Sequence, residues 1–208
     1  MDPTRHSETT LPTGLIGGSP VGGFFARAFD DLGVDMSRLV SWPARAAGID
    51  AQALPTAEGM ALLAQAWQHD RHMGRLTYGQ IARLEPFFSF ASVAAHQQVI
   101  RQDEYGNFMV MLVDGTIAVD RRQPWGEDLR LAEVRPGDVL GEMSLLDSGI
   151  RFSTCTTLDD CAIAVLTAES LDRMVDAEPQ LAANLIALLA RKLSLRLRVV
   201  SARLGDGS

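Results

Sequence analysis

Residues 139–153 hold the residue types and the spacing that bind an anion next to a hydroxyl group. Gly141 and Glu142 open a short apolar run, and Arg151 follows it. A one-turn helix beginning near Glu142 would turn free backbone N–H groups and the positive end of its dipole toward an anion. Arg151 would add a charge-assisted, bidentate contact to the same phosphate, and the Glu142 carboxylate would accept a sugar hydroxyl. This loop therefore predicts recognition of a phosphate together with a ribose.

Short antiparallel strands are predicted on both sides of this loop. The stretches concerned are rich in β-branched residues, and turn-forming pairs such as Asp114-Gly115 separate them. Strands of this length and spacing are typical of an antiparallel sandwich or roll. The predicted strands are Gln98–Gln102, Phe108–Val113, Thr116–Asp120, Leu129–Val134, Thr154–Thr157 and Cys161–Leu166.

Helical periodicity precedes and follows these strands. After them, Thr167 is positioned to cap a helix through Val175, and Glu178-Pro179 begins a long apolar-faced helix through Arg203. Before them, the pattern predicts a helix from Phe24 to Gly33, a second over Leu39–Ala47 interrupted at Trp42-Pro43, a third capped by Thr56, and a short one at Tyr78–Leu84.

The loop and its flanks resemble the phosphate-binding cassette of the cyclic-nucleotide-binding domain family. That cassette runs Gly-Glu-x-small-Leu and then Arg followed by small residues, and Gly141 to Leu145 and Arg151 fit this pattern. The resemblance covers roughly residues 86 to 204. The features that agree in order are the Asp114-Gly115 turn, the turn Arg135-Pro136-Gly137-Asp138, the cassette itself and the helix after Pro179.

This resemblance implies a role for each cassette residue. Glu142 would bind the ribose 2′-hydroxyl and Arg151 the cyclic phosphate, while the backbone amides around Met143, Ser144 and Ser153 would complete the anion cradle. The alternative is a purely structural loop in which Glu142 and Arg151 pair with each other.

Two residues depart from the family pattern. Phe152 stands where a small residue or a threonine is usual, so its bulk would narrow the phosphate pocket, and it lacks the hydroxyl associated with guanine preference. Arg196 stands on the C-terminal helix where family members often offer a hydroxyl to the purine. It would stack on a purine or donate to a guanine edge, or else remain a solvated helix charge. The expected ligand-binding residues are Gly141, Glu142, Met143, Ser144, Arg151, Phe152, Ser153 and Arg196.

The sequence thus predicts an α+β fold: an antiparallel, jelly-roll-like β-roll with a phosphate-binding cassette and C-terminal helices, preceded by a small helical region. Its expected divisions are a flexible arm at residues 1–23, a helical region at 24–85, and the roll with its C-terminal helices at 86–208.

The function that the resemblance implies is a bacterial second-messenger receptor, not an enzyme, that binds a cyclic mononucleotide. We expect cAMP to be preferred to cGMP, no cofactor, and a signal carried by movement of the C-terminal helix. A homodimer through that helix and a protein partner bound by residues 24–85 are also expected. The chain stops at Ser208 without a helix-turn-helix, so we expect no DNA-binding motif. The alternative is a degenerate, ligand-independent dimeric scaffold.

Composition favours an ordinary globular protein of the cytoplasm. Hydrophobic residues make up 47% and charged residues 22%, without an apolar run long enough to span a membrane and without a signal peptide. The net charge of −7 gives the whole chain no attraction for nucleic acid.

Cys155 and Cys161 are expected to be buried, reduced thiols. His69 and His72, three residues apart, are a weak metal-site candidate without a third ligand.

Overall fold

The computed structural model of the protein describes residues 23–68 and 76–205. The predicted arm at residues 1–23, apart from Gly23, and the pair His69 and His72 lie outside these ranges. Within them, no helix combines the length and the apolar character needed to cross a membrane. The same ranges hold no cluster of three or more His, Cys, Asp or Glu side chains placed to hold a metal ion.

The strands confirm the predicted antiparallel roll and add short pairings that the sequence did not indicate. The strands are β1 (Leu39–Val40), β2 (Gln52–Ala53), β3 (Ser89–Val93), β4 (Gln98–Ile100), β5 (Tyr105–Gly106), β6 (Phe108–Asp114), β7 (Ile117–Arg122), β8 (Asp128–Val134), β9 (Val139–Leu140), β10 (Thr154–Thr157) and β11 (Cys161–Thr167).

Two sheets face each other across the roll. One has the strand order β4-β10-β7-β8 and the other β2-β3-β11-β6-β9, with antiparallel pairing throughout both. A separate two-residue pair joins β1 to β5 in parallel, with Leu39 beside Tyr105 and Val40 beside Gly106. Residues from the N-terminal region thus contribute strands to the architecture of the roll.

Strand β6 is buried on both of its faces, which explains its unbroken apolar sequence. Successive side chains of a strand point to opposite faces, so Phe108, Val110 and Leu112 enter the core between the two sheets. Met109 and Met111 instead enter a second core, beneath the helices that cover the outside of the sheet. Strand β6 is therefore fixed from both sides next to the cassette.

The helices lie mainly on the outer face of the larger sheet and agree with the predicted helical segments. Thr167 caps α6 by accepting a hydrogen bond from the backbone N–H of Ser170, as predicted. The helices are α1 (Phe24–Asp31), α2 (Trp42–Gly48), α3 (Thr56–Gln68), α4 (Tyr78–Ala82), α5 (Glu142–Asp147), α6 (Ala168–Ala177) and α7 (Pro179–Gly205), with 3-10 turns at Met36–Arg38 and Glu85–Phe87.

The prediction of one helix over Leu39–Ala47, broken at Trp42-Pro43, was wrong. Leu39 and Val40 form β1, and α2 begins at Trp42 after Ser41, whose hydroxyl accepts from the backbone N–H of Ala44. Proline is well tolerated in the first turn of a helix because its missing N–H has no partner there anyway. Trp42-Pro43 therefore starts the helix that it was expected to interrupt.

A carboxylate far away in the sequence holds the first helix against the roll. Asp172 of α6 accepts hydrogen bonds from the backbone N–H groups of Phe25 and Ala26, both at 2.9 Å. The Asp172 side chain thus satisfies donors that the first turn of a helix leaves unpaired, although 147 residues separate it from Phe25.

Candidate functional site

The predicted cassette is a loop and helix held between β9 and β10. Gly141 precedes α5 with φ +76°, in the left-handed region that favours glycine. A Cβ atom at this position would lie 2.5 Å from Nη1 of Arg151. Glycine is required at position 141 both for its backbone conformation and for the close approach of the arginine.

Arg151 lies almost completely inside the cassette, with 3% of its surface exposed. Its Nη1 donates to the carbonyl of Gly141 at 2.9 Å, and its Nη2 donates to the carbonyl of Phe108 at 2.6 Å. The guanidinium also lies over the ring of Phe108, with Cζ 4.7 Å from the ring centroid. Burial lowers the pKa of Arg151 to about 10, so the side chain remains a cation at neutral pH.

Glu142 is equally buried, with 3% exposed, and its carboxylate pairs with Arg196 of α7. The same guanidinium donates from Nη2 to the carbonyl of Val139 at 2.9 Å. Burial raises the pKa of Glu142, and the positive charge of Arg196 is the largest influence that opposes this rise. The structure therefore brings Glu142, Arg151 and Arg196 together at one end of the roll.

The partners of these charges differ from those that the sequence suggested. Glu142 forms its ion pair with Arg196, so the alternative in which Glu142 and Arg151 only pair with each other does not describe this loop. Arg196 keeps 46% of its side-chain surface exposed while it forms this pair. No local pattern could reveal this pair, because Glu142 and Arg196 lie 54 residues apart.

A second contact from α7 reaches the same end of the roll. Nζ of Lys192 donates to the carbonyl of Gly137 at 2.9 Å. Lys192 and Arg196 are four residues apart and therefore share one face of the helix. That face bridges the Pro136-Gly137 turn and the cassette.

Phe152 points away from the interior of the cassette. Half of its surface is exposed, and the guanidinium of Arg121 on β7 lies 3.8 Å from the centroid of its ring. Nη1 of Arg121 also donates to the carbonyl of Phe152 at 2.8 Å. The ring of Phe152 is therefore held at the surface by Arg121.

The remaining predicted residues lie along the same loop with different exposures. Met143 is 43% exposed, whereas Ser144 is buried and Ser153 is half-buried. Cys155, next to the loop, is buried as expected, and burial raises the pKa of its thiol to about 12. This cysteine is therefore an uncharged part of the inner core.

Two further residues at the site were missed by sequence reasoning. Arg45 of α2 is buried, with 6% exposed, and pairs with Glu104 just before β5. The backbone carbonyl of Glu104 accepts from the N–H of Arg151 at 2.8 Å. The one signal in the sequence was an arginine in a short helix made otherwise of apolar residues and glycine. The spacing of the residues did not indicate that Glu104 would be the partner of Arg45.

A family model matches the part of the chain that holds the cassette and most of the roll. Residues 90–178 match the model of the cyclic nucleotide-binding domain. This part of the chain is therefore similar to the cyclic nucleotide-binding domain.

Its similarity to curated proteins is to cAMP-responsive regulators. It is 33% identical over 95 residues to the cyclic AMP receptor protein of Thermus thermophilus, covering 46% of this chain and 44% of the relative. It is 28% identical over 95 residues to a CRP-like cAMP-activated global transcriptional regulator of Mycobacterium tuberculosis, covering 46% and 42%. The chain thus spans about half the length of the curated relatives it matches.

Solved structures show the same fold. A cyclic nucleotide-binding domain from Methylobacillus flagellatus superimposes with a TM-score of 0.69 at 19% identity, covering 76% of this chain and 90% of that chain. The catabolite activator protein of Thermus thermophilus superimposes with a TM-score of 0.54 at 27% identity, covering 65% and 63%.

Replacing Arg196 by glutamine should raise the pKa of Glu142 further above its usual value. The Arg196 charge is the main influence that favours the ionised carboxylate against the cost of its burial. Because the pKa of Glu142 is higher in the folded protein than in the unfolded chain, protonation of this carboxyl group stabilises the fold. The stabilisation is fully present below the unfolded-state pKa and is lost as the pH rises through the folded-state pKa. The loss in the free energy of unfolding should be larger in Arg196→Gln than in the wild type.

The measurement is a carbon-13 NMR titration of the Glu142 carboxyl, assigned with Glu142→Gln, in parallel with urea unfolding across the same pH range. Arg198→Gln, on the same helix and exposed, is the control. Equal Glu142 pKa values in the two arginine variants would show that the pair has no electrostatic role.

Proposed function

We propose that this protein is a bacterial, cytoplasmic sensor that binds a cyclic mononucleotide, with cAMP preferred to cGMP, and that it is not an enzyme. The observation that carries the proposal is the convergence of Glu142 and Arg151 around the first turn of α5, in a part of the chain similar to the cyclic nucleotide-binding domain. The similar proteins are described as a cAMP receptor and a cAMP-activated regulator, which supports the choice of messenger.

In this proposal each charged side chain has a distinct task. The cyclic phosphate takes donors of Arg151, whose two carbonyl hydrogen bonds use two of the five N–H groups of a guanidinium. Backbone amides around Met143, Ser144 and Ser153 complete the cradle. The ribose 2′-hydroxyl donates to the Glu142 carboxylate, which in its ionised form offers only acceptors.

Access to these groups requires a local opening of the cassette. Arg151 and Glu142 are each only 3% exposed, so the nucleotide has to move the residues that cover them. Phe152 and Met143, which are about half exposed on the cassette, can move without disturbing the inner core.

The expected thermal-shift result is a rise of several degrees in the melting temperature with millimolar cAMP. A ligand at about a hundred times its dissociation constant stabilises a protein by about 2.7 kcal/mol, and about 2–4 °C accompany each kcal/mol in a chain of this size. Arg151→Ala should abolish the shift because it removes the charge that faces the phosphate.

Arg122→Ala, which removes an exposed arginine of β7, is the control and should keep the shift. Parallel samples with cGMP and a cyclic dinucleotide identify the messenger. A cooperatively folded wild type that shows no shift with any of these ligands would refute the receptor function.

Signalling, in this proposal, uses the contact between the cassette and α7. The ribose hydroxyl and Arg196 bind the same carboxylate, so occupancy of the site changes the partner that holds the helix. Arg196 is then free to stack on the purine, and the hinge at Pro179 takes up the movement of the helix. The population shift is limited by the difference in nucleotide affinity between the two helix positions.

Spin labels at Arg198→Cys, an exposed position of α7, and at Trp125→Cys on the β7–β8 hairpin should report this movement. Both positions are exposed, and the native cysteines are buried and therefore spared by the labelling reagent. The distribution of distances between the two labels of one chain should change on addition of cAMP in the otherwise wild-type protein and should not change in Arg151→Ala. Dilution with unlabelled chains keeps labels on different chains from contributing. An unchanged distribution with bound cAMP would exclude α7 as the moving part.

We also propose that α7 pairs with its counterpart in a second copy of the chain. Leu195 and Leu197 lie 49% and 67% exposed near its end, where they cover no core of their own chain. Burial of each leucine against a partner would contribute about 1.5–3 kcal/mol at most.

Residues 24–85 expose Phe24, Leu32 and Tyr78, and we propose this region for contact with a different protein partner.

Light scattering at tens of micromolar should therefore give twice the chain mass of 22.6 kDa. Leu197→Glu should shift the protein toward the monomer, because it would bury a carboxylate in an apolar interface. Arg198→Glu, a charge change at the neighbouring exposed position, is the control. A monomeric wild type would contradict the dimer.

A second function is favoured by a different observation. The charges of the cassette already have partners, because Glu142 is paired with Arg196 and Arg151 with two carbonyls. A ligand-independent scaffold would use the cassette in this form. The outward position of Phe152 weighs against it, and the thermal-shift experiment separates the two functions.

A further inference from the structure

The segment 39–45 of the N-terminal region contacts three groups that lie next to the arginine of the cassette. We propose that Arg45 is a positioning residue for Arg151: it holds the Glu104 carboxylate, which would otherwise compete with the phosphate for the Arg151 guanidinium. This inference rests on the proposed function, since it takes Arg151 as the phosphate ligand.

The backbone next to Glu104 is bound directly to the backbone of Arg151. The N–H of Arg151 donates to the carbonyl of Glu104 at 2.8 Å, and the N–H of Asp103 donates to the carbonyl of Arg151 at 2.9 Å. These two hydrogen bonds hold the backbone of residues 103 and 104 beside that of Arg151, and the Glu104 carboxylate is close enough to favour the charged form of the Arg151 guanidinium. A carboxylate in this place is the natural competitor of a phosphate.

Arg45 neutralises that carboxylate from inside the fold. Its Nη2 pairs with Oε2 of Glu104, whose side chain is 30% exposed, while Arg45 itself is 6% exposed. The Nε atom of Arg45 is buried and has no hydrogen-bond partner among the described residues. A buried donor without a partner is destabilising, and a buried ion pair is weak support for stability. The pair is therefore better explained by its effect on Arg151 than by its contribution to folding.

Both charges of the pair act on Arg151. The Glu104 carboxylate favours the charged form of the Arg151 guanidinium, and the Arg45 charge opposes it. Loss of Arg45 would leave a net negative charge beside the phosphate site. That charge would repel an incoming phosphate and attract the guanidinium away from it.

Packing from the same segment holds the guanidinium from its other sides. The ring of Trp42 lies edge-on to Phe108, with centroids 5.5 Å apart, and Phe108 lies under the Arg151 guanidinium. β1 pairs with β5, and a Cβ atom on Gly106 would lie 2.6 Å from Nη2 of Arg151. Segment 39–45 thus contacts the ring, the backbone and the carboxylate that together surround Arg151.

The test is a comparison of Arg45→Met, Glu104→Gln and the double variant. Arg45→Met should weaken cAMP binding about tenfold, equivalent to about 1.4 kcal/mol. Adding Glu104→Gln to it should restore most of the affinity, because the released carboxylate is then neutral. Arg83→Met is the matched control, since Arg83 also joins the N-terminal region to a glutamate, Glu178, outside the cassette.

Binding of two cAMP analogues distinguishes a positioning role of Arg45 from a general loss of structure. The Rp and Sp phosphorothioates of cAMP place sulfur at one or the other exocyclic phosphate position. Arg45→Met should bring the ratio of the two dissociation constants closer to one. A general destabilisation would instead weaken the binding of both analogues by the same factor. A double variant no better than Arg45→Met, or an unchanged ratio, would overturn the proposal.

A measurement without nucleotide keeps this proposal distinct from the proposed function. The Nε–H resonance of Arg151, assigned with Arg151→Lys, should shift and exchange faster with water in Arg45→Met. It should return toward the wild-type position in the double variant and stay unchanged in Arg83→Met. If the wild type binds no cyclic nucleotide but these shifts occur, the receptor function fails and the positioning role stands. If the resonance is the same in Arg45→Met and wild type, the positioning role fails.

Discussion

The cassette depends on burying two opposite charges that are not each other's partner. Each ion removed from water carries a penalty of several kcal/mol unless other groups compensate it. For Glu142 the compensation comes from Arg196 at the far end of the chain, and for Arg151 it comes from the carbonyls of Gly141 and Phe108. The position of α7 is therefore linked to the state of the Glu142 carboxylate by electrostatics.

The rigid and the adjustable parts of the roll are separated by their burial. Strands β6 and β11 contribute side chains to both cores, so they cannot move without disturbing close packing on two sides. The outer part of β8 is exposed on both faces from Asp128 to Glu133, and Phe152 is half exposed. These exposed residues can therefore move while β6 and β11 keep their register.

Local patterns in the sequence were sufficient for much of this architecture. The cassette, the Thr167 cap and the long strands could be predicted because their signals lie within a few residues: a glycine before an acid, a hydroxyl before a helix, and runs of β-branched residues. The start of α2 at Trp42-Pro43 was also signalled locally, by a serine followed by a proline in the first turn, but was interpreted as an interruption.

What could not be predicted depends on residues that are distant in the sequence. β1 and β5 are two residues long, and such pairs have no periodicity of their own. The ion pairs Arg196–Glu142 and Arg45–Glu104 join residues 54 and 59 positions apart, and an isolated arginine in a helical pattern does not indicate which acid it will meet. Glu142, Arg151 and Arg196 were therefore recognisable in the sequence, but Arg45, Glu104 and the pairing of these charges were not.

The contact between Asp172 and α1 has a consequence for the order of folding. The first described helix finds the acceptor for its N-terminal donors only in α6, 147 residues later, so it cannot complete its docking before the strands of the roll have been formed. Closing so long a loop costs conformational entropy before any contact repays it. On a ribosome, α1 is synthesised well before α6, so this helix, with its buried Phe25 and Phe29, cannot dock against α6 until α6 has been made.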